Sequence, residues 1–391
     1  MASSGQDALR DEAVRLSAAP ASNVGALTSL TSKLLDESTL LMPAKQALDA
    51  MINGLRSSVQ AHRDIPEVEK VLAHYLQASE TRSVAFEDVT CRAREVLADI
   101  LESREAWVDA ARVLAAIPLE SSHRHVETEY KFHIYLRIGA LYLEEEDAGM
   151  AETYVSRASM IAHEVNNTEL QFKFKVQAAR VNDAKRKYLQ ASQRYLDLSY
   201  TIPDEEARQA ALSQAVTCAV LAPAGPRRSR LLATLFKDER THALPQFHTL
   251  EAMHLQRIVR SEDLAKFAAG LAEHHKARTA DGSTVLEKAV VEHNMLSATR
   301  VYDNITLEEL GRLVNVSTEQ AEHTVAQMIA DGRLSGQINQ LEGRVTFADA
   351  EHLVQDWDAA IAALCAHVNG LVEEIGHNHA DWLAARAVAT S

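Results

Sequence analysis

The chain has 391 residues, room for two or three domains of ~100 to 200 residues each, and 47% of them are hydrophobic, so a packed core is within reach. Fifty-five acidic residues against 40 Lys and Arg give a formal charge of -15, which sets the surface against phosphate backbones and argues against nucleic acid as a partner. Glycine (14), proline (8) and aromatics (5%) are scarce, a balance that disfavours sheet proteins and predicts long helices with few turns.

Residues 1–25 are rich in Ala, Ser and Gly without sustained periodicity and are expected to form a flexible N-terminus. Asp7, Arg10, Asp11, Glu12 and Arg15 leave no apolar core for a secretory signal. No stretch reads as the ~20 apolar residues that cross a bilayer, so a soluble chain without a membrane partner is expected. From Val24 onward helical periods dominate, and no alternating apolar and polar run is evident before Leu334.

Residues 26–200 carry an internal echo. Trp107-Val-Asp-Ala-Ala-Arg-Val-Leu114, Asp147-Ala-Gly-Met-Ala-Glu-Thr-Tyr154 and Lys187-Tyr-Leu-Gln-Ala-Ser-Gln-Arg194 align on Ala111, Ala151 and Ala191, 40 residues apart each time. A helical pair needs about that length, and a small residue there lets the second helix of each pair approach the first. Tyr135 to Tyr142 supplies one first helix, Met150 to Ile161 its partner, and Glu144-Glu-Glu-Asp147 the turn between them. The pattern is that of tetratricopeptide-like solenoids with a longer period.

Residues 201–281 continue helical and contain a basic run, Arg227-Arg228-Ser229-Arg230, beside Pro223, Gly225 and Pro226. It is either a patch for an acidic partner, through Arg227, Arg228 and Arg230, or a set of arginines lining a turn and pairing with Asp238 or Glu239. Residues 282–348 read as three helices and a hairpin. Thr306-x-x-Glu309 and Ser317-x-x-Gln320 are helix-start signals, Asp331-Gly332 is a stop, and the hairpin joins Arg333–Ile338 to Arg344–Phe347 through Asn339–Gly343. That order is a winged helix. Residues 349–391 hold a long helix and a tail. Trp357, Ile361, Leu364, Val368, Leu371 and Ile375 are spaced 4, 3, 4, 3, 4, the seam of a helix that docks into a bundle, either on its own winged helix or on other chains.

Chemistry has little to stand on. Cys91, Cys218 and Cys365 are far apart and odd in number, which fits small core residues in a reducing compartment rather than disulfides or zinc. The pairs His123-x-His125, His274-His275 and His377-x-His379 lack a complete ligand set, and Ala387 stands where a zinc isopeptidase would need Ser. No phosphate loop, dinucleotide fingerprint or serine elbow occurs, so no catalytic residue, metal or cofactor is predicted. The second short helix presents Glu319, Glu322, His323 and Gln327, and Thr306 to Ala350 holds seven acids against three bases. A face of that sign repels DNA and predicts a protein-docking module.

Helical repeats running into a winged helix and a long helix resemble the PCI-domain family. Ser229-Arg-Leu-Leu-Ala-Thr-Leu-Phe-Lys-Asp-Glu-Arg240, Thr279-Ala-Asp-Gly-Ser-Thr284, Val290-Val-Glu-His-Asn-Met-Leu-Ser-Ala298 and Ala110-Ala-Arg-Val-Leu-Ala-Ala-Ile-Pro-Leu-Glu120 are similar to the subunit-4 family of the COP-9 signalosome, from about Leu101 to Ile375. The expected fold is mainly α: a helical-repeat arm (26–200), a PCI domain (201–348, its winged helix from 282) and a C-terminal bundle helix with tail (349–391). The resemblance implies a non-catalytic scaffold and sensor in the cytoplasm and nucleus, within an assembly that removes the ubiquitin-like modifier Nedd from cullins. It further implies contacts to other subunits through winged helix and C-terminal helix, and to a cullin-RING ligase through the N-terminal arm. A PCI subunit of the proteasome lid is the alternative.

Overall fold

The computed structural model describes residues 2–36, 40–61, 65–82, 84–120, 126–276, 278, 282–347, 350–380 and 382. The chain divides into two compact units, Met1–Ala215 and Val216–Ser391.

The first unit is helical among the described residues. It opens with α1 (Ala2–Ser17), α2 (Pro20–Leu35), α3 (Leu41–Gln60) and α4 (Ile65–Ser79). The expectation of a flexible stretch over residues 1–25 is corrected here. Ala13 and Leu16 of α1 are buried in one core with Leu27, Leu48, Met51 and Leu55, because even an Ala- and Ser-rich helix has one usable apolar stripe once neighbours cover it. The pairs that follow are α5 (Glu87–Ser103) with α6 (Trp107–Ala115), α7 (Thr128–Glu144) with α8 (Ala148–Ile161), and α9 (Thr168–Ala184) with α10 (Tyr188–Thr201).

The 40-residue echo is structural. Ala111, Ala151 and Ala191 sit at matching places on the second helix of each pair and are fully buried. Close approach is visible at Gly139 of α7, where a Cβ would meet Val155 Cγ2 of α8 at 3.2 Å. The turns repeat as well. Glu105, Glu146 and Arg186 adopt left-handed φ values of 60°, 64° and 57°. In each, the next amide donates to a carbonyl five residues back: Ala106 to Leu101, Asp147 to Tyr142 and Lys187 to Asn182. This is the helix cap in which glycine is usual, built here from charged residues at a cost of about 1 kcal/mol each, and it accounts for long helices with so few glycines. Asp147, at the end of the acidic turn, is exposed and also caps α8, its carboxylate accepting from the Gly149 and Met150 amides.

Polar ties run between successive first helices. Arg137 of α7 bonds Asp99 and, at 2.7 Å, Glu102 of α5. Arg180 of α9 reaches Glu144 of α7 at 3.0 Å. Burial alone would lower the Arg137 guanidinium, but its bonds to Glu102 and Asp99 outweigh that and hold it above its usual value.

The second unit begins within α11 (Glu205–Leu221), followed by α12 (Pro226–Lys237), α13 (Phe247–His254), α14 (Ser261–Ala269) and α15 (Val285–Ala298). The winged helix is completed by β1 (Asn304–Thr306), α16 (Leu307–Val314), α17 (Thr318–Ala330), β2 (Gly336–Asn339) and β3 (Arg344–Phe347), in an antiparallel sheet of order β1-β3-β2. Thr306 and Ser317 accept from the Glu309 and Gln320 amides, as the start signals predict, and Gly332 takes φ 66° at the stop. The strand β1 escaped the sequence because three residues, Asn304-Ile305-Thr306, show no alternation that could be told from a loop. Ile305, Leu310, Ala321, Val325, Met328, Val345 and Phe347 form the module's own core with Met295 and Ala298 of α15. The chain continues into α18 (Ala350–Asn378).

Candidate assembly surface

Helix α18 carries the feature with the largest consequence. From Trp357 on, its apolar residues face solvent: Trp357 is 73% exposed, Leu364 67% and Ile375 39%, with Ile361, Val368 and Leu371 between them. Docking onto its own winged helix, one of the two sequence readings, is not what the structure shows. Cys365, expected in a core, is exposed on the same helix, whereas Cys91 and Cys218 are buried.

The expectation that no segment is of membrane length also needs correction. Trp357–Asn378 spans 22 residues and contains an 18-residue window of mean hydropathy 1.2, long and apolar enough by length and composition to cross a bilayer. Its large apolar residues nevertheless follow a 4-3 stripe, and Asp358, His367, Asn369, Glu373 and Glu374 break up the segment between stripe positions. A charged residue at a bilayer centre costs about 2.5 to 3.5 kcal/mol, whereas a stripe of this spacing is what a partner helix covers.

The winged helix presents acid. Glu319, His323 and Gln327 of α17 are exposed, and Glu322 accepts from Gln340 Nε2 at 2.6 Å, tying α17 to the hairpin turn. Two of the three basic residues between Thr306 and Ala350 are already engaged. Arg312 pairs with Glu308 and Glu309, and Arg333 with Glu292 and Asp331. Leu341, at the tip of the turn, is fully exposed.

The basic run proves to be two different things. Arg227 and Arg230 are exposed, but Arg228 is 2% exposed and turned inward, which removes it from any patch for an acidic partner. Its guanidinium donates to the Ala219 and Val220 carbonyls at the end of α11, to Met253 Sδ of α13 and to the Ala289 carbonyl of α15. The negative end of the α11 dipole and four acceptors are the physical reason it is buried. The suggested pairing with Asp238 is not made by this run; Arg240 holds Asp238 instead, at 2.6 and 2.9 Å.

Sequence reasoning missed the neighbourhood of Arg228. Three consecutive polar residues of α15, Glu292, His293 and Asn294, are all buried, as is Ser297. Glu292 Oε2 accepts from the Ala224 amide at 3.2 Å and from Arg333 Nη1 at 2.6 Å. Asn294 takes the Val259 amide at 2.9 Å and gives to the Val259 carbonyl at 3.0 Å. His293 Nε2 lies 3.0 Å from the Arg257 carbonyl, which can only accept, so that nitrogen carries the proton. Burial, and then the Arg228 charge, pull His293 down to about 4. Burial likewise brings Arg228 down to about 10 against the opposing pull of Glu292. The available signal was the run Glu-His-Asn inside an otherwise apolar helical stretch.

Of the histidine pairs weighed for metal, His123 and His125 lie outside the described residues. His377 and His379 are exposed at the end of α18, and Ala387 lies outside the described residues.

A helical first unit, a winged helix with an acidic face and an unburied terminal seam describe a part made to be assembled. Comparison with known proteins agrees. A protein-family model described as "PSMD12/CSN4, N-terminal" matches residues 20–206, and one described as "PCI domain" matches residues 271–349. The chain is 42% identical to COP9 signalosome complex subunit 4 of Drosophila melanogaster over 362 residues, 92% of this chain and 87% of the fly protein. The chain belongs to the COP9 signalosome subunit 4 family. The subunit 4 of Dictyostelium discoideum is likewise 42% identical, over 90% of this chain and 88% of its own, and that of Arabidopsis thaliana 40%, over 79% and 80%. These relatives carry the signalosome name, so the proteasome-lid alternative is not favoured. The 40-residue echo lies inside the region matched by the N-terminal model.

Proposed function

We propose that this chain is a non-catalytic scaffold of a COP9 signalosome, with α18 as its anchor. The observation that carries the reading is the exposed stripe Trp357, Ile361, Leu364, Val368, Leu371 and Ile375 in a chain of this family. Each such side chain contributes about 1.5 to 3 kcal/mol when covered, which gives a partner helix a strong reason to bind. The winged helix serves as the second contact to other subunits, its acidic face meeting protein rather than nucleic acid. The N-terminal arm, residues 26–200, serves as the part that meets a cullin-RING ligase, and the PCI domain, residues 201–348, as the part that holds the assembly together. The place of work is the cytoplasm and nucleus. The chain has no chemistry of its own in this reading; removal of Nedd from cullins belongs to another subunit.

The test is a tagged pull-down from native lysate, with mass spectrometry and a cullin deneddylation assay of the eluate. Recovery of the other signalosome subunits with that activity, and none from the purified chain, is the expected result. Activity of the purified chain, or its recovery without those subunits, overturns the proposal.

A further inference from the structure

The second unit contains two bodies of different make. Residues of α11 to α14 form a helical support, and the winged helix has its own apolar core from α15 to β3. Where α15 meets the support, the contacts include an unusual density of directional polar bonds. Arg228 of the support reaches the Ala289 carbonyl, the Arg257 carbonyl takes His293, and Val259 is held at both its amide and its carbonyl by Asn294. Glu292 joins these to the wing, because its Oε2 receives both the Ala224 amide from the support and Arg333 from the loop between α17 and β2. Glu292 is 3% exposed, and the Arg333 side chain 17%.

A buried carboxylate is poor evidence for stability, since desolvation offsets the attraction; its best-attested use is to select one packing among near-equals. Apolar contacts tolerate a small rotation of one body on another, whereas a carboxylate oxygen shared by two donors at 3.2 and 2.6 Å does not. From the shared oxygen and the bonds on either side of it, we infer that Glu292 is the coupling residue that fixes the orientation of the winged helix on its helical support, with Arg333 as its arm on the wing side. The seam is a positioning device: it touches no partner, yet it determines where the wing tip and the acidic face of α17 point. The inference concerns this chain alone and stands or falls independently of the proposed scaffold role.

The experiment uses the full chain with Cys365→Ser and spin labels at R230C on α12 and L341C at the wing tip, both exposed positions. Double electron-electron resonance should give one narrow distance distribution. R333Q, which removes the charge at a partly exposed site, and E292Q should each broaden it about twofold or split it, as expected when a hinge loses its discrete setting. R333K should keep it narrow. Far-UV circular dichroism of each variant checks that the helices persist. A folded R333Q with the parent's narrow distribution overturns the inference, and R333Q alone decides the matter if E292Q does not fold.

Discussion

Helices α15 and α18 invert the usual rule in opposite directions. The first, 14 residues long, buries Glu292, His293, Asn294 and Ser297; the second, 29 residues long, leaves Trp357, Ile361, Leu364 and Leu371 in water. The difference lies in where the partners are. Every one of those α15 side chains finds its donor or acceptor within the second unit, so polarity there is a cost already met by the fold. The stripe of α18 has its counterpart in no described residue of its own chain, so its free energy is available only to an encounter. One helix records how the chain holds itself, and the other how it holds something else.

That contrast can be broken most decisively at the stripe. Replacing Ile361 and Leu364 together by Glu should abolish recovery of partner subunits in a pull-down, a loss on the order of 5 kcal/mol or more from two apolar contacts and two buried charges. Thermal melting of the isolated variant should be unchanged to within about 0.5 kcal/mol, because both positions are surface sites. Equal loss of stability would mean that the stripe belongs to the fold after all.

At α15 the prediction has the opposite sign. His293 is held at about 4 against an ordinary 6.5, so it is neutral in the fold and protonated in the unfolded chain below pH 6.5. Its contribution is complete above pH 6.5 and declines as pH falls toward 4, amounting to about 3 kcal/mol if the whole shift is expressed. Denaturant titrations from pH 7.5 to 4.5 should show that slope in the parent and a shallower one in His293→Gln, while the Ile361 and Leu364 variant keeps the parent's slope. Asn294→Leu should cost about 2 kcal/mol, since it strips partners from the buried Val259 amide and carbonyl, and chemical denaturation reads it directly. The smallest effect belongs to the repeat turns: Asp147→Ala should lower stability by about 1 kcal/mol through loss of the α8 cap, without changing recovery of partners.

What could be read in advance followed local physics. The alanines 40 residues apart, the starts at Thr306 and Ser317, the stop at Gly332 and the 4-3 spacing from Trp357 to Ile375 are each set by a few neighbouring side chains and a helical period. The helix over Ala2–Ser17 was not legible, because its pattern is weak until Leu27 and Met51 stand opposite it. Strand β1 was not legible either, being defined by β3 some 40 residues away.

The charges show the same limit from another side. Arg227, Arg228 and Arg230 are alike on paper, and only the turn after α11 decides that the middle one points at the Ala219 and Val220 carbonyls while its neighbours meet water. By itself, then, the sequence determined a mainly helical chain with a repeated pair, a winged helix and an amphipathic terminal helix, since those depend on periodicity and capping within a turn or two. Tertiary structure alone decided which polar residues are inside and which apolar ones are outside, because burial is a property of what stands opposite a side chain, and that is fixed only when distant segments have met.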